Sequence, residues 1–251
     1  MQKLEEHVTA HSRFIANAAH QLRTPLTLLN TQATYALRRT DLQDKDHALR
    51  AIHDSLGQSI RMVHQLLTLS AAESSAKRDS RPSAIDLAEL VPGVLETEAA
   101  LAESKNIDLG FEHAGGSATV FASQAMLREL VANLVDNALR YTPAGGIVTA
   151  SVIASEAEVE LRIEDNGPGI PREERDRVFE RFCRLREDEC DGCGLGLSIV
   201  REIAAAWNAR VELSEGRSGK GLLATVTFAK YSPALSNHAV DHPVRATARV
   251  Y

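Results

Sequence analysis

Two long amphipathic repeats near the start of the chain, joined by a short polar break, constrain its fold more than any other feature. From Leu4 to about Arg39 a helical period runs without a glycine, until Thr40-Asp-Leu-Gln-Asp-Lys-Asp46 interrupts it. A second repeat follows through Leu49, Ile52, Leu56, Ile60, Val63, Leu66 and Leu67. With Ile15 as origin and about 100° per residue, Ala18, Leu22, Leu26, Leu29, Ala33 and Leu37 fall within about 60° of one line, the pattern of a buried helix face. Two such helices make an antiparallel hairpin. One hairpin cannot bury a continuous apolar face alone, whereas two can as a four-helix bundle, so the pattern predicts a homodimer.

On the same scale His20 falls near ~140° and Thr24 near ~180°, both away from the apolar line and one helical turn apart. Pro25 has no N–H, which predicts that the Gln21 carbonyl loses its partner and that the turn opens. A solvent-facing imidazole beside loosened backbone is poorly suited to packing and well suited to reaction with a partner.

At 251 residues the chain has room for a hairpin and a further domain, and with 44% apolar but only 4% aromatic residues its core is aliphatic. Residues 74–83, with Lys77-Arg78-Asp79 and Pro82, read as a linker. Residues 86–102 read as a helix with Asp86 as N-cap and Glu89 at the capping-box position. Strands are expected at 107–111, 119–121, 147–154, 159–163, 211–213 and 222–228, and a strong helix at 123–139. Helices on one face of a mixed sheet predict an α/β sandwich. The tail from about residue 231 is expected to be poorly ordered. The net charge of −6, with no basic run longer than a pair, argues against a nucleic-acid surface. No run of 18 apolar residues and no signal-peptide pattern is present, so the sequence as it stands reads as soluble and intracellular. Cys183, Cys190 and Cys193 make no disulfide framework and lack the four ligands of structural zinc.

Six short motifs carry the chemistry. Phe14 to Leu26, containing His20-Gln-Leu-Arg-Thr24-Pro25, resembles the H-box of two-component sensor histidine kinases. Asn133-Leu-Val-Asp-Asn137-Ala-Leu-Arg140-Tyr141 resembles their N-box, with two amides at i and i+4 on one helix face. Asp165-Asn-Gly167-Pro-Gly169 matches the G1 box, Arg177-Val-Phe179-Glu-Arg-Phe182 the F-box, and Gly192-Cys-Gly194-Leu195-Gly196 the G2 box. Gly219-Lys-Gly221 resembles a last glycine-containing box, with Leu222 in place of its usual threonine.

The resemblance covers about residues 4–228. It implies a dimerising helical hairpin (1–73), a linker (74–83), an ATP-binding sandwich of the histidine kinase, gyrase and chaperone type (84–230) and a tail (231–251). It also implies ATP-dependent autophosphorylation of His20, followed by transfer to an aspartate of a cognate response-regulator receiver domain. Asn137 is then the Mg²⁺ ligand and Asn133 helps form its site, while Arg140 and Tyr141 contact nucleotide. Asp165 accepts the adenine amino proton, and the glycines at 167, 169, 192, 194, 196, 219 and 221, with Leu195, shape the pocket under a lid from about 167 to 194. Glycine lets backbone N–H groups approach phosphates, and a helix beginning near Leu197 adds its positive end.

One departure stands out. Gln21 occupies the place of an acidic residue proposed to take the histidine proton, and glutamine cannot be that base. Tricarboxylate-sensing relatives, which this box most resembles, carry the same residue. Thr24 matches the position linked to phosphatase activity. Two rival readings are a phosphatase-dominant or pseudokinase scaffold and an ATPase of the gyrase and chaperone type. The second leaves a proline-marked histidine on a hairpin unexplained. Family members carry sensor and transmembrane segments before the H-box, so the expectation is the cytoplasmic portion of an inner-membrane receptor.

Overall fold

A computed structural model describes residues 2–38, 41–73, 82–185, 194–217 and 219–232, with backbone alone at 2–17, 20, 21, 42, 58 and 69–73. The expected tail from residue 233 onward and most of the expected linker (74–81) lie outside the described residues.

Helices α1 (Gln2–Arg38) and α2 (Leu42–Glu73) form the hairpin. Small residues let them approach: Ala18, Ala48, Ser55 and Ser59 are buried with Met62. The helix runs through Pro25, as the unbroken period predicts, because a ring lacking one N–H removes a single bond from a ladder of 37 residues that also packs along α2. Much of the predicted apolar face stays open within one chain: Leu37 is 86%, Leu67 64% and Leu26 57% exposed.

Strand β1 (Ser83–Asp86) pairs antiparallel with β3 (Thr119–Ala122) in a small separate sheet. Ser83, at the end of the expected linker, is thus the first residue of this strand. Asp86 caps α3 (Leu87–Ser104), its Oδ1 accepting the Ala88 N–H at 2.9 Å. The main sheet contains β2 (Asp108–Ala114), β4 (Ile147–Ala154), β5 (Glu158–Asp165), β6 (Arg210–Glu215) and β7 (Leu222–Ala229), in the order β2-β4-β5-β7-β6. Only the β2–β4 pair is parallel. Helices α3, α4 (Gln124–Tyr141) and α5 (Gly196–Ala206) contribute to one aliphatic core with the sheet, including Leu127, Leu130, Leu161, Ile163, Ile199 and Ile203.

Strand β5 shows how the site is aimed. Its period-2 alternation buries Val159, Leu161, Ile163 and Asp165, while Glu158, Glu160, Arg162 and Glu164 face the other way. A carboxylate therefore ends the apolar row, at the rim of the core. The outer face of the sheet is polar, with Arg162 paired to Glu160 at 2.5 Å and Thr225 and Thr227 beside them on β7.

Candidate active site

A cavity of about 630 Å³ lies between the hairpin and the sandwich. On the hairpin side Thr24, Pro25 and Leu28 of α1 and Arg61, Met62 and Gln65 of α2 line it. Opposite stand Asn137, Arg140 and Tyr141 of α4, Asp165, Pro168 and Gly169 after β5, and Gly194 to Leu197 at the start of α5. Residues from four sequence motifs thus converge on one space. The side chains of His20 and Gln21 lie outside the described residues, but their backbone is in α1, and His20 stands one turn, about 6 Å along the axis, before Thr24.

Asp165 is a buried carboxylate in the wall of this cavity. Its Oδ1 accepts the N–H of Gly167 at 2.9 Å and of Leu222 at 3.3 Å, closing the turn that leaves β5. Burial pushes its carboxyl above the usual carboxylate range, the two backbone bonds oppose this, and neighbouring Glu164 adds a smaller upward push. Gly221, at φ +80°, packs under this turn, where a Cβ would collide with the Asp165 carbonyl oxygen. Neither Gly219 nor Gly221 lines the cavity. Gly221 supports the Asp165 turn from behind, and Gly219 faces open space. Gly167 likewise shapes the turn without lining the cavity, while Gly192 lies outside the described residues.

Helix α4 starts at Ser123, whose Oγ accepts the Met126 N–H at 3.5 Å. Asn137 reaches the cavity against Gly196, where a Cβ would come within 2.9 Å of its Nδ2 and 3.1 Å of its Oδ1. Asn133 does not line the cavity. Arg140 is held by Asp136, Nε to Oδ2 at 2.6 Å, and Tyr141 is about half exposed at the mouth. Nearby Glu98 of α3 has its carboxyl pushed up by burial and by Asp136, while Arg140 and Arg61 pull it down. A basic residue of the hairpin therefore acts on a carboxyl of the sandwich.

The far end of α4 is fixed by a residue the motifs do not indicate. Lys105 Nζ donates to the carbonyls of Leu139 at 2.6 Å, Arg140 at 2.9 Å and Thr142 at 2.7 Å. This places an ammonium on the negative end of the helix that carries the N-box. The contact is 34 residues long in sequence, so no local period reveals it. Arg184, also not singled out in the sequence, lines the cavity, and nearby the Phe182 N–H donates to the Gly194 carbonyl at 2.8 Å. Cys183 is half-buried and its thiol is pushed up mainly by burial.

Among the described residues no group of three or more His, Cys, Asp or Glu side chains could hold a metal. A cation here must complete its shell with water and phosphate oxygens around an amide oxygen, which suits Mg²⁺. The glycine cradle at Gly196 leaves Asn137 the room to act in this way. The residues present therefore fit Mg²⁺ carried in with a nucleotide.

A phosphoacceptor-type hairpin facing a nucleotide-type sandwich defines a two-component sensor histidine kinase, and the chain belongs to that class. Residues 10–75 match the His Kinase A (phospho-acceptor) domain, and residues 122–232 match the histidine kinase-, DNA gyrase B- and HSP90-like ATPase. Among curated relatives, the sensor protein kinase PmrB of Pseudomonas aeruginosa is 35% identical over 93% of this chain and 48% of its own length. The sensor protein QseC of Salmonella typhimurium is 35% identical over 86% of this chain and 47% of its own. The chain spans about half the length of the curated relatives it matches. Histidine kinase ThkA, solved in complex with the response regulator protein TrrA, shares the fold with a TM-score of 0.69 at 20% identity, over 92% of this chain and 65% of that one. Among the described residues no helix is long and apolar enough to cross a membrane.

Proposed function

We propose that this chain phosphorylates itself on His20 from ATP and passes the phosphoryl group to an aspartate of a response-regulator receiver domain. The observation that carries the reading is the shared cavity: Thr24 and Pro25, one turn beyond His20, line the same space as Asn137, Asp165 and Gly196. A neutral imidazole nitrogen attacks the γ-phosphorus, the bond to the β–γ bridging oxygen breaks, ADP leaves, and the imidazole releases its proton. Gln21 can donate and accept hydrogen bonds but cannot take that proton at neutral pH, so water, the nucleotide or another side chain receives it.

The roles divide by position. Asn137 would hold Mg²⁺ and Asn133 would help form its site, and the ion would neutralise phosphate charge when bound. Asp165 uses Oδ1 to fix its own turn, so its second oxygen is the one to accept the adenine amino group. Arg140 and Tyr141, which line the cavity, are assigned to contact with the nucleotide, and the N–H groups at the start of α5, with Gly194 and Leu195, to the phosphates. Gly169 lines the cavity, while Gly167 and Gly221 shape the turn that carries Asp165. Thr24 orients water for dephosphorylation of the regulator. The units are a hairpin of residues 1–73 and a catalytic domain of residues 84–230.

The open leucine stripe of the hairpin supports a homodimer closed as a four-helix bundle, and light scattering giving a monomer at tens of micromolar would count against it. The receiver-domain partner follows the ThkA pair by analogy of fold. The likeness of the H-box to tricarboxylate-sensing kinases rests on Gln21. Placement in the cytoplasmic part of an inner-membrane receptor rests on the family resemblance and on relatives about twice as long.

The test is incubation of the purified chain with labelled ATP and Mg²⁺. One acid-labile, base-stable phosphate is expected, lost in His20→Gln. Label mapping to serine or threonine, with His20→Gln unaffected, would sink the proposal.

A further inference from the structure

Asn133 is the first N-box asparagine, yet it does not line the cavity. It is buried, and both ends of its amide are engaged: Nδ2 donates to the Glu129 carbonyl at 2.8 Å, and Oδ1 accepts from Gln65 Nε2 of α2 at 3.0 Å. The orientation is chemically determined. A carbonyl only accepts, so the end facing Glu129 must be the NH₂ group and the end facing Gln65 must be oxygen. Around this bond α2 is docked on the sandwich, with Leu66 packed against the aliphatic core and Arg61 close enough to Glu98 to act on its carboxyl.

We propose that Gln65 is a positioning residue that controls whether Asn133 can serve the Mg²⁺ site. With α2 docked, Gln65 holds the Asn133 oxygen toward the hairpin and leaves Asn137 as the N-box asparagine that lines the cavity. Using both asparagines requires the Gln65 bond to open. The proposal rests on the assignment of the N-box to Mg²⁺-nucleotide made above. Because binding free energies are reciprocal, Mg²⁺-nucleotide loosens α2 at this point, and any rotation of α2 that withdraws Gln65 tightens Mg²⁺-nucleotide binding. A change arriving along the hairpin is thereby read at the metal site through one hydrogen bond.

The test is calorimetric titration of the full 251-residue chain with ADP, in Mg²⁺ and separately in EDTA. Gln65→Leu keeps the volume and removes the donor. The expected result is a Kd for ADP in Mg²⁺ lowered about three- to tenfold, the range one neutral hydrogen bond supports, with no change in EDTA. Gln65→Asn, too short to reach, is expected to move in the same direction, which guards against a packing defect peculiar to leucine. In an Asn133→Ala background Gln65→Leu is expected to do nothing further, since its effect passes through that amide. A contact that only braces the fold would instead lower the melting temperature and leave the Mg²⁺-dependent difference unmoved. An unchanged or weaker Kd in Mg²⁺, or an equal gain in EDTA, overturns the proposal. Asn137→Ala separates the two readings: if it binds ADP in Mg²⁺ as the parent does, the metal-site assignment itself fails. If it loses that dependence while Gln65→Leu shows no gain, only the role of Gln65 fails.

Discussion

Replacing Lys105 with methionine tests how the N-box helix is held. Methionine keeps the length of the stem, so the change removes the ammonium and its three bonds to the carbonyls of Leu139, Arg140 and Thr142. A hydrogen bond to a charged group contributes about 1.5–3 kcal/mol, but three sharing one ammonium are not additive, so a net loss of roughly 3 kcal/mol is expected. At roughly 2–4 °C per kcal/mol for a chain of this size, the melting temperature should fall by about 6–12 °C. Lys105→Arg should lose less, because it keeps the charge at the helix end although a planar guanidinium cannot converge on three carbonyls in the same way. The damage should reach the site as well, since the Tyr141 carbonyl lies against Gly167, where even a Cβ would come within 2.9 Å of it. Nucleotide affinity measured well below the melting temperature should therefore drop in Lys105→Met and recover partly in Lys105→Arg. A Lys105→Met protein melting within about 2 °C of the parent would refute the reasoning.

Two further outcomes follow from the site. Burial holds the folded-state pKa of Asp165 above the unfolded value, so its contribution favours the fold at low pH and is lost as pH rises through the folded pKa. Asp165→Asn keeps an oxygen for the Gly167 and Leu222 amides, so at pH 7 it should melt at the same or a higher temperature. That difference should shrink toward pH ~4, while ATP binding weakens at least ~10-fold. A clear loss of stability at pH 7 would contradict this account. Gly196→Ala should displace the Asn137 amide it abuts and weaken ADP binding in Mg²⁺ about 10- to 100-fold, with little change in melting. Unaltered affinity by calorimetry would show that Asn137 is not held as described.

Much of this was legible in the sequence because it is local. The alternation Val159, Leu161, Ile163, Asp165 gives the depth of the carboxylate from parity alone, and the spacing of Asn133 and Asn137 puts both on one helix. What escaped was long in sequence. Lys105 meets carbonyls 34 to 37 positions away and Gln65 an amide 68 positions away, and no period within a helix encodes either partner. Strand β1 follows a proline in a stretch that reads as linker, and its strand character comes from pairing with β3.

The one-sided covering of the sheet has a consequence for timing. Because the sandwich closes its aliphatic core with its own helices and leaves the other face polar, it can stand away from the hairpin with little oily surface newly wetted. Its described contacts with α2 include Gln65, Arg61 and Leu66, the last packed against the edge of the core. Thr24 and Pro25 face the cavity in the docked state, so anything else that must read the His20 turn has to occupy the ground where the sandwich stands. On the proposed function, donor and receiver therefore take turns at one histidine, and the sequence of their visits is enforced by exclusion.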